Sequence, residues 1–220
     1  MTRRPFDPTL YLVTDPALGR GRPLAEIVAA AVQGGVTLVQ LRDKAAGGRA
    51  LLEEARALQA LLAPLGVPLI VNDRVDVALA AGAAGCHVGQ GDLPAAAARA
   101  LLGPDAILGV SLDAVHQVAA VDPALVDYVA HGPFAPTLTK PDAGGPVGAE
   151  GLAMVRRLIG LPLVAIGGID AGNAGQAIRA GADGIAVVSA IVAAADPAAA
   201  SRELLAAITA ARRDREQSCA

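Results

Sequence analysis

From residue 10 to residue 212 the chain repeats one pattern: a short apolar run, then a stretch of helical composition. The apolar runs fall at 10–14, 37–41, 68–71, 85–88, 107–110, 127–131, 162–166 and 184–188. The helical stretches fall at 23–33, 48–62, 75–81, 94–102, 114–120, 149–159, 173–180 and 197–212. Strictly alternating strands and helices build a parallel sheet covered by helices. Strands buried on both faces read as continuous apolar runs, which is what these are. Eight such units in 220 residues favour a closed barrel over an open sheet, and the length suits one domain. The sequence therefore predicts a single-domain α/β protein, a (β/α)8 barrel of the TIM type, with an open doubly wound sheet as the alternative. Two loops, Gly82-Ala83-Ala84-Gly85 and Gly181-Ala182-Asp183-Gly184, read as copies of one αβ turn in which the first glycine ends a helix.

Composition narrows the function classes. The net charge is −3 and no basic stretch stands out, which argues against a nucleic-acid partner. The longest apolar run, 185–195, is well short of the roughly 20 residues that span a bilayer, and the first eight residues contain no apolar core of a secretory signal. The expectation is a cytoplasmic protein with small-molecule partners and no membrane association. A homo-oligomer is compatible with this and is not required by it. Cys86 falls in a predicted strand and reads as a buried thiol. Cys219 falls in a terminal stretch, 213–220, that reads as a flexible tail, so no disulfide is expected. All 18 cationic side chains are arginine except Lys44 and Lys140. Where arginine supplies the general basicity, each lysine points to a specific task.

In a closed barrel the functional groups stand at the C-terminal ends of the strands. The second strand ends Gln40-Leu41-Arg42-Asp43-Lys44; Gln40, Arg42 and Lys44 share parity and, on extended backbone, one face, which suits an anion grip or, equally, a solvated basic turn. The third ends Asn72-Asp73 and the fourth runs on to Asp92. Two carboxylates on adjacent strand ends suit a Mg2+ that takes its other ligands from water and phosphate oxygens. Helix N-capping is the competing role for each. Ser111 ends the fifth strand, either to meet a substrate or to cap the next helix. After the sixth come Thr137, Leu138, Thr139 and Lys140 in a Pro/Gly-rich loop of the kind that closes over phosphates. The seventh ends Gly167-Gly168 and the eighth Val188-Ser189, where barrels often bind phosphate. His87 reads as a packed core side chain, His116 as a surface residue, and His131 as a residue near the mouth. No Ser-His-Asp or Cys-His set is visible in the sequence.

In this order, Tyr11-Leu12-Val13-Thr14-Asp15, Gln40 to Lys44, Asn72-Asp73, Gly89-Gln90-Gly91-Asp92, Gly109-Val110-Ser111, Pro136 to Lys140, Gly167-Gly168-Ile169 and Val188-Ser189 resemble the thiamin phosphate synthase family. The resemblance covers residues 10 to about 197. It implies a transferase that joins a pyrimidine pyrophosphate to a thiazole phosphate by a dissociative, Mg2+-assisted substitution and releases pyrophosphate. It assigns Gln40, Leu41, Arg42, Asp43, Lys44, Asn72 and Lys140 to the pyrimidine pyrophosphate and Asp73 and Asp92 to Mg2+. Ser111 is assigned to the pyrimidine substrate, and Thr137, Leu138, Thr139, Gly168, Val188 and Ser189 to the thiazole phosphate. Arg42, Lys44, Lys140 and Ser111 are the catalytic candidates. Two alternatives are a related thiazole tautomerase, whose catalytic histidine would fall where this chain has Pro133, and a non-catalytic barrel that binds a phosphorylated ligand.

Overall fold

A computed structural model describes residues 4–137, 139 and 144–218. Eight parallel strands close on themselves: β1 (Leu10–Val13), β2 (Leu38–Leu41), β3 (Leu69–Asn72), β4 (Gly85–Val88), β5 (Ile107–Leu112), β6 (Tyr128–His131), β7 (Leu163–Ile166) and β8 (Gly184–Val187). β1 pairs with β8 through Leu10–Ile185, Tyr11–Ala186 and Leu12–Val187, which removes the open-sheet alternative.

Around the barrel lie α1 (Leu24–Gln33), α2 (Gly48–Leu62), α3 (Val75–Ala81), α4 (Ala95–Leu102), α5 (Gly148–Leu158), α6 (Ala174–Arg179), α7 (Ser189–Val192) and α8 (Pro197–Ser218). Three predicted elements differ. The segment after β5 is a 3-10 helix, Val115–Ala120, and not an α-helix. A four-residue helix, α7, opens directly at Ser189 where a loop is predicted. The last helix does not end at Arg212 but continues through Ser218. Arg215 reaches the Ile178 carbonyl at 3.2 Å and Asp214 pairs with Arg179 at 3.4 Å, tying that last turn to α6.

Strand alternation sorts the apolar side chains into two cores. One set, with Leu10, Leu12, Val39, Leu41, Val71 and Leu163, faces the helices. The other, with Tyr11, Val13, Leu38, Ile70, Ile107, Tyr128, Val164 and Ala186, fills the barrel. Cys86 belongs to the helix-facing set and is fully buried, and burial followed by the charge of Asp73 pushes its thiol up to about 12. In a Cys219→Ser chain, a thiol reagent at pH 8 is therefore expected to label nothing until denaturant is added. Rapid labelling of the native protein would contradict that burial.

Below the mouth, the N-terminal ends of the strands are tied by two copies of one ion-pair clamp. Asp127 precedes β6, accepts the Leu108 N–H of β5 at 2.7 Å and pairs at 2.6 Å with Arg99 of α4. Arg99 also donates to the Leu125, Gly103 and Ala106 carbonyls. Asp183 repeats this before β8, accepting the Leu163 N–H at 2.8 Å and pairing at 2.9 Å with Arg156 of α5. Each clamp closes the seam between consecutive strands on the face opposite the site.

Candidate active site

One pocket opens at the C-terminal mouth, and most of the residues singled out in the sequence line it. Gln40, Arg42 and Lys44 stand on the β2 end, Asn72 and Asp73 on β3, and Asp92 after β4. Across the ring come Thr137 and Thr139 after β6, Gly168 after β7, and Val188 and Ser189 after β8, with Ser111 on β5. In the strand order, β2–β4 and β6–β8 form opposite arcs of the barrel. The pocket thus has one wall with Arg42, Lys44, Asn72 and the acidic pair, and a facing wall of hydroxyls and glycine backbone. Leu138 and Lys140 lie outside the described residues.

Two of the expected contact residues turn their side chains away from the pocket. Leu41 is fully buried among the helix-facing core, one residue out of phase with Gln40. The Asp43 carboxylate turns back on its own loop and accepts the Ala45 and Ala46 N–H groups at 2.9 and 3.1 Å. Neither side chain faces the pocket. Arg42 is held from two directions. Thr14 exchanges hydrogen bonds with its backbone, 2.9 Å from the Arg42 N–H and 3.1 Å to the Arg42 carbonyl, and Asp15 pairs with its guanidinium at 3.6 Å.

The acidic pair is not spent on helix caps. The residues that open α3 and α4 are Arg74 and Pro94, and neither helix start receives a side-chain cap. Asp73 and Asp92 instead meet each other within hydrogen-bonding range. Burial, then the neighbouring Asp92, raises the Asp73 carboxyl above its usual range, against the opposing pull of Lys44. For Asp92, burial works upward but is outweighed by the hydrogen bonds from Asp73 and the Gly89 N–H, so it stays below the usual range. Asp92 accepts that N–H at 2.8 Å, and Lys44 Nζ lies 2.5 Å from Asp73. Asp73 also sits at φ 59, left-handed backbone that Asp tolerates better than most residues and that costs energy to hold. Two carboxyl groups this close are eased by a neighbouring cation, and Lys44 is the cationic side chain that stands at Asp73. Among the described residues no set of three or more acidic, His or Cys side chains gathers in metal-holding geometry, and the carboxylates that meet at this mouth are these two. That donor set fits Mg2+, which binds through one or two carboxylates and leaves positions for water and phosphate oxygens.

Gly167 and Gly168 have φ of 91 and 66. A side chain on Gly168 would begin 2.5 Å from the Ala135 and Pro136 carbonyl oxygens. The two glycines therefore let the β6 and β7 loops touch, and Asn173 Nδ2 holds the Gly168 carbonyl at 2.8 Å.

Three residues of the interior were not assigned to the site by sequence: Tyr11, His87 and Tyr128. His87 is buried, as expected, but it is not simply packed. It lines the pocket, with Nε2 2.9 Å from Ser111 Oγ and Nδ1 2.9 Å from Tyr128 OH. Ser111 lies inside β5, which runs on to Leu112, and does not cap the following helix. His131, placed near the mouth by sequence, is fully buried on the helix-facing side, where its Nδ1 donates to the Leu112 carbonyl at 2.8 Å. The signal for the missed residues was available: Tyr11, His87 and Tyr128 carry the pocket-facing parity of Val13, Ser111 and Ala130.

Comparison with known proteins identifies the family and the fold. Residues 10–191 match the family model described as thiamine monophosphate synthase. The thiamine-phosphate synthases of Xanthobacter autotrophicus and Azorhizobium caulinodans are 59% and 57% identical over 209 residues, each match covering 95% of this chain and 99% of the relative. The solved structure of a thiamine phosphate pyrophosphorylase from Pyrococcus furiosus superposes with a TM-score of 0.85 at 35% identity, covering 93% of this chain and 96% of that one. A geranylgeranylglyceryl phosphate synthase from Thermoplasma acidophilum, at 16% identity and TM-score 0.68, shares the fold alone. With its barrel, its two-walled mouth and relatives matched over almost their full length, this chain belongs to the thiamine monophosphate synthase family of transferases.

Proposed function

We propose that the chain joins a pyrimidine pyrophosphate to a thiazole phosphate, with the pyrophosphate gripped by the β2–β4 arc and the thiazole phosphate by the β6–β8 arc. The observation that carries this reading is the pair of facing walls around one pocket. Two anionic substrates repel each other, and separate anion sites on opposite arcs hold them in line at that cost to binding alone.

The family's chemistry needs no enzyme nucleophile. Pyrophosphate leaves a methylene on an aminopyrimidine, whose ring amine stabilises the cation, and the thiazole nitrogen then attacks. Negative charge grows on the leaving group, and Arg42 and Lys44 are placed to stabilise it. Lys140 joins them on the strength of the resemblance. Lys44 is 60% exposed on a flexible stem, so it can leave Asp73 for an arriving anion. Asp73 and Asp92 would hold Mg2+, which when bound supplies further charge stabilisation for the pyrophosphate. Asn72 extends the same wall, and Ser111 meets the pyrimidine.

The thiazole phosphate keeps its charge through the reaction, so its site should act on binding more than on the chemical step. Ser189→Ala is expected to weaken thiazole phosphate binding by about 1–3 kcal/mol while single-turnover rates at saturation change little. Gly168→Ala should do more harm, since its side chain would displace the Ala135–Pro136 backbone. Thiamin phosphate formation with each substrate varied in turn checks both. If Ser189→Ala weakens only the pyrimidine substrate, the two arcs have been assigned the wrong way round.

A further inference from the structure

Five polar side chains form one continuous hydrogen-bonded chain across the barrel interior. Gln40 Nε2 donates to Tyr11 OH at 2.6 Å, and Tyr11 OH lies 2.8 Å from Tyr128 OH. Tyr128 OH lies 2.9 Å from His87 Nδ1, and His87 Nε2 lies 2.9 Å from Ser111 Oγ. Four of the five line the pocket; Tyr128 does not. These are the only tyrosines in a chain with 2% aromatic residues.

The chain has a direction, because each phenol carries one hydrogen. An amide nitrogen can only donate, so the Gln40 bond makes the Tyr11 oxygen an acceptor and leaves the Tyr11 hydrogen for Tyr128. Tyr128 then gives its own hydrogen to His87 Nδ1. A histidine that accepts at Nδ1 carries its hydrogen on Nε2 in the neutral ring and donates it to Ser111. Ser111 Oγ, having accepted, turns its hydrogen into the pocket.

The Ser111–His87 pair has the spacing of a nucleophile and its base. The third group decides between the two roles. A carboxylate at Nδ1 would accept and leave Nε2 free to take the serine proton. A phenol that donates at Nδ1 does the reverse and keeps the serine a hydrogen-bond donor. This matches a reaction that needs no enzyme nucleophile.

We propose that Tyr128 is a positioning residue: without touching the pocket, it sets the tautomer of His87 so that Ser111 offers its hydroxyl hydrogen, and Gln40 its carbonyl oxygen, to the aminopyrimidine. This rests on the reading above that Ser111 meets that substrate. One acceptor and one donor on opposite sides of the pocket complement the amine and a ring nitrogen of an aminopyrimidine. The surroundings hold the arrangement. Gly109 has no side chain because one would begin 2.1 Å from Tyr128 Cζ and 2.5 Å from His87 Nδ1. Phe6 packs on the Tyr128 ring from below, with centroids 5.4 Å apart. Burial raises both phenols well above their usual range, so neither gives up the hydrogen on which the direction depends.

The test uses the full-length protein and 15N-edited spectra of its three histidines, assigned with a His87→Asn control. The expected result is that wild-type His87 is neutral, bare at Nδ1 and protonated at Nε2. Tyr128→Phe, which keeps the ring and removes the hydroxyl, should turn this into a mixture of tautomers. It should also weaken binding of an unphosphorylated aminopyrimidine alcohol about tenfold, the loss expected for one hydrogen bond, with inorganic phosphate binding unchanged. A hydrogen on Nδ1 in the wild type overturns the proposal, and this result stands even if Tyr128→Phe does not fold. An unchanged tautomer in a folded Tyr128→Phe variant overturns it as well. Ser111→Ala separates the two layers. If it weakens the aminopyrimidine probe and Tyr128→Phe does not, only the positioning role fails. If Ser111→Ala leaves probe binding intact, the underlying substrate reading fails and takes the proposal with it.

Discussion

Asp127→Ala is expected to destabilise the protein by about 3–5 kcal/mol, the usual consequence of leaving one partner of a buried ion pair alone. Arg99 and Asp127 are only 10% and 6% exposed, so water cannot take the place of the lost carboxylate. The substitution strands two groups at once: the Arg99 guanidinium and the Leu108 N–H at the start of β5. For a domain of this length each kcal/mol is worth about 2–4 °C, so the melting temperature should fall by roughly 10 °C. The double variant Arg99→Met, Asp127→Leu should recover part of this, because the buried charge is gone. It should not recover all, because the Leu125, Gly103 and Ala106 carbonyls lose their donor. Asp183→Ala should cost less, since Arg156 and Asp183 are 28% and 41% exposed. Urea unfolding of the four proteins checks the ranking, and a loss under about 1 kcal/mol for Asp127→Ala would contradict it.

Asp92→Asn is expected to lower turnover at least about a hundredfold, the scale on which removing a preorganised charge contact acts. Half-saturating Mg2+ should rise with it, by at least the roughly 10–100-fold that loss of an outer-shell partner produces. The fold should survive, because the Asn side-chain oxygen can still accept the Gly89 N–H now held by Asp92. Asp73→Asn should behave alike in activity. Asn tolerates the left-handed backbone at that position, and the change relieves the crowding of two carboxyl groups. If the two carboxylates serve one ion, the double variant should be little worse than either single one. Steady-state rates across a Mg2+ titration, with melting curves as the control for folding, give the answer. Full activity at limiting Mg2+ in both single variants would end the metal assignment.

The sequence by itself determined the barrel. Eight apolar runs separated by helical stretches admit few other arrangements, because a parallel strand must be buried on both faces and each crossover must return over the sheet. It also placed Gln40, Arg42, Lys44, Asn72, Asp73, Asp92 and Ser111 at one mouth, since in this architecture the C-terminal strand ends converge whatever the residues are. Local rules gave less at the edges. Leu41 and Asp43 were assigned with their neighbours through the family resemblance, while strand parity and an Asx turn point their side chains away from the pocket. The last helix outran its predicted end because Arg215 and Asp214 bind α6, a contact between residues far apart in the chain. Only the tertiary structure could show that Asp73 and Asp92 meet rather than cap helices. Only it could show that Tyr11, His87 and Tyr128, each unremarkable within its own strand, join Gln40 to Ser111. The reason is geometric: strand periodicity states which side chains enter the barrel, but ring closure and the strand register decide which of them touch.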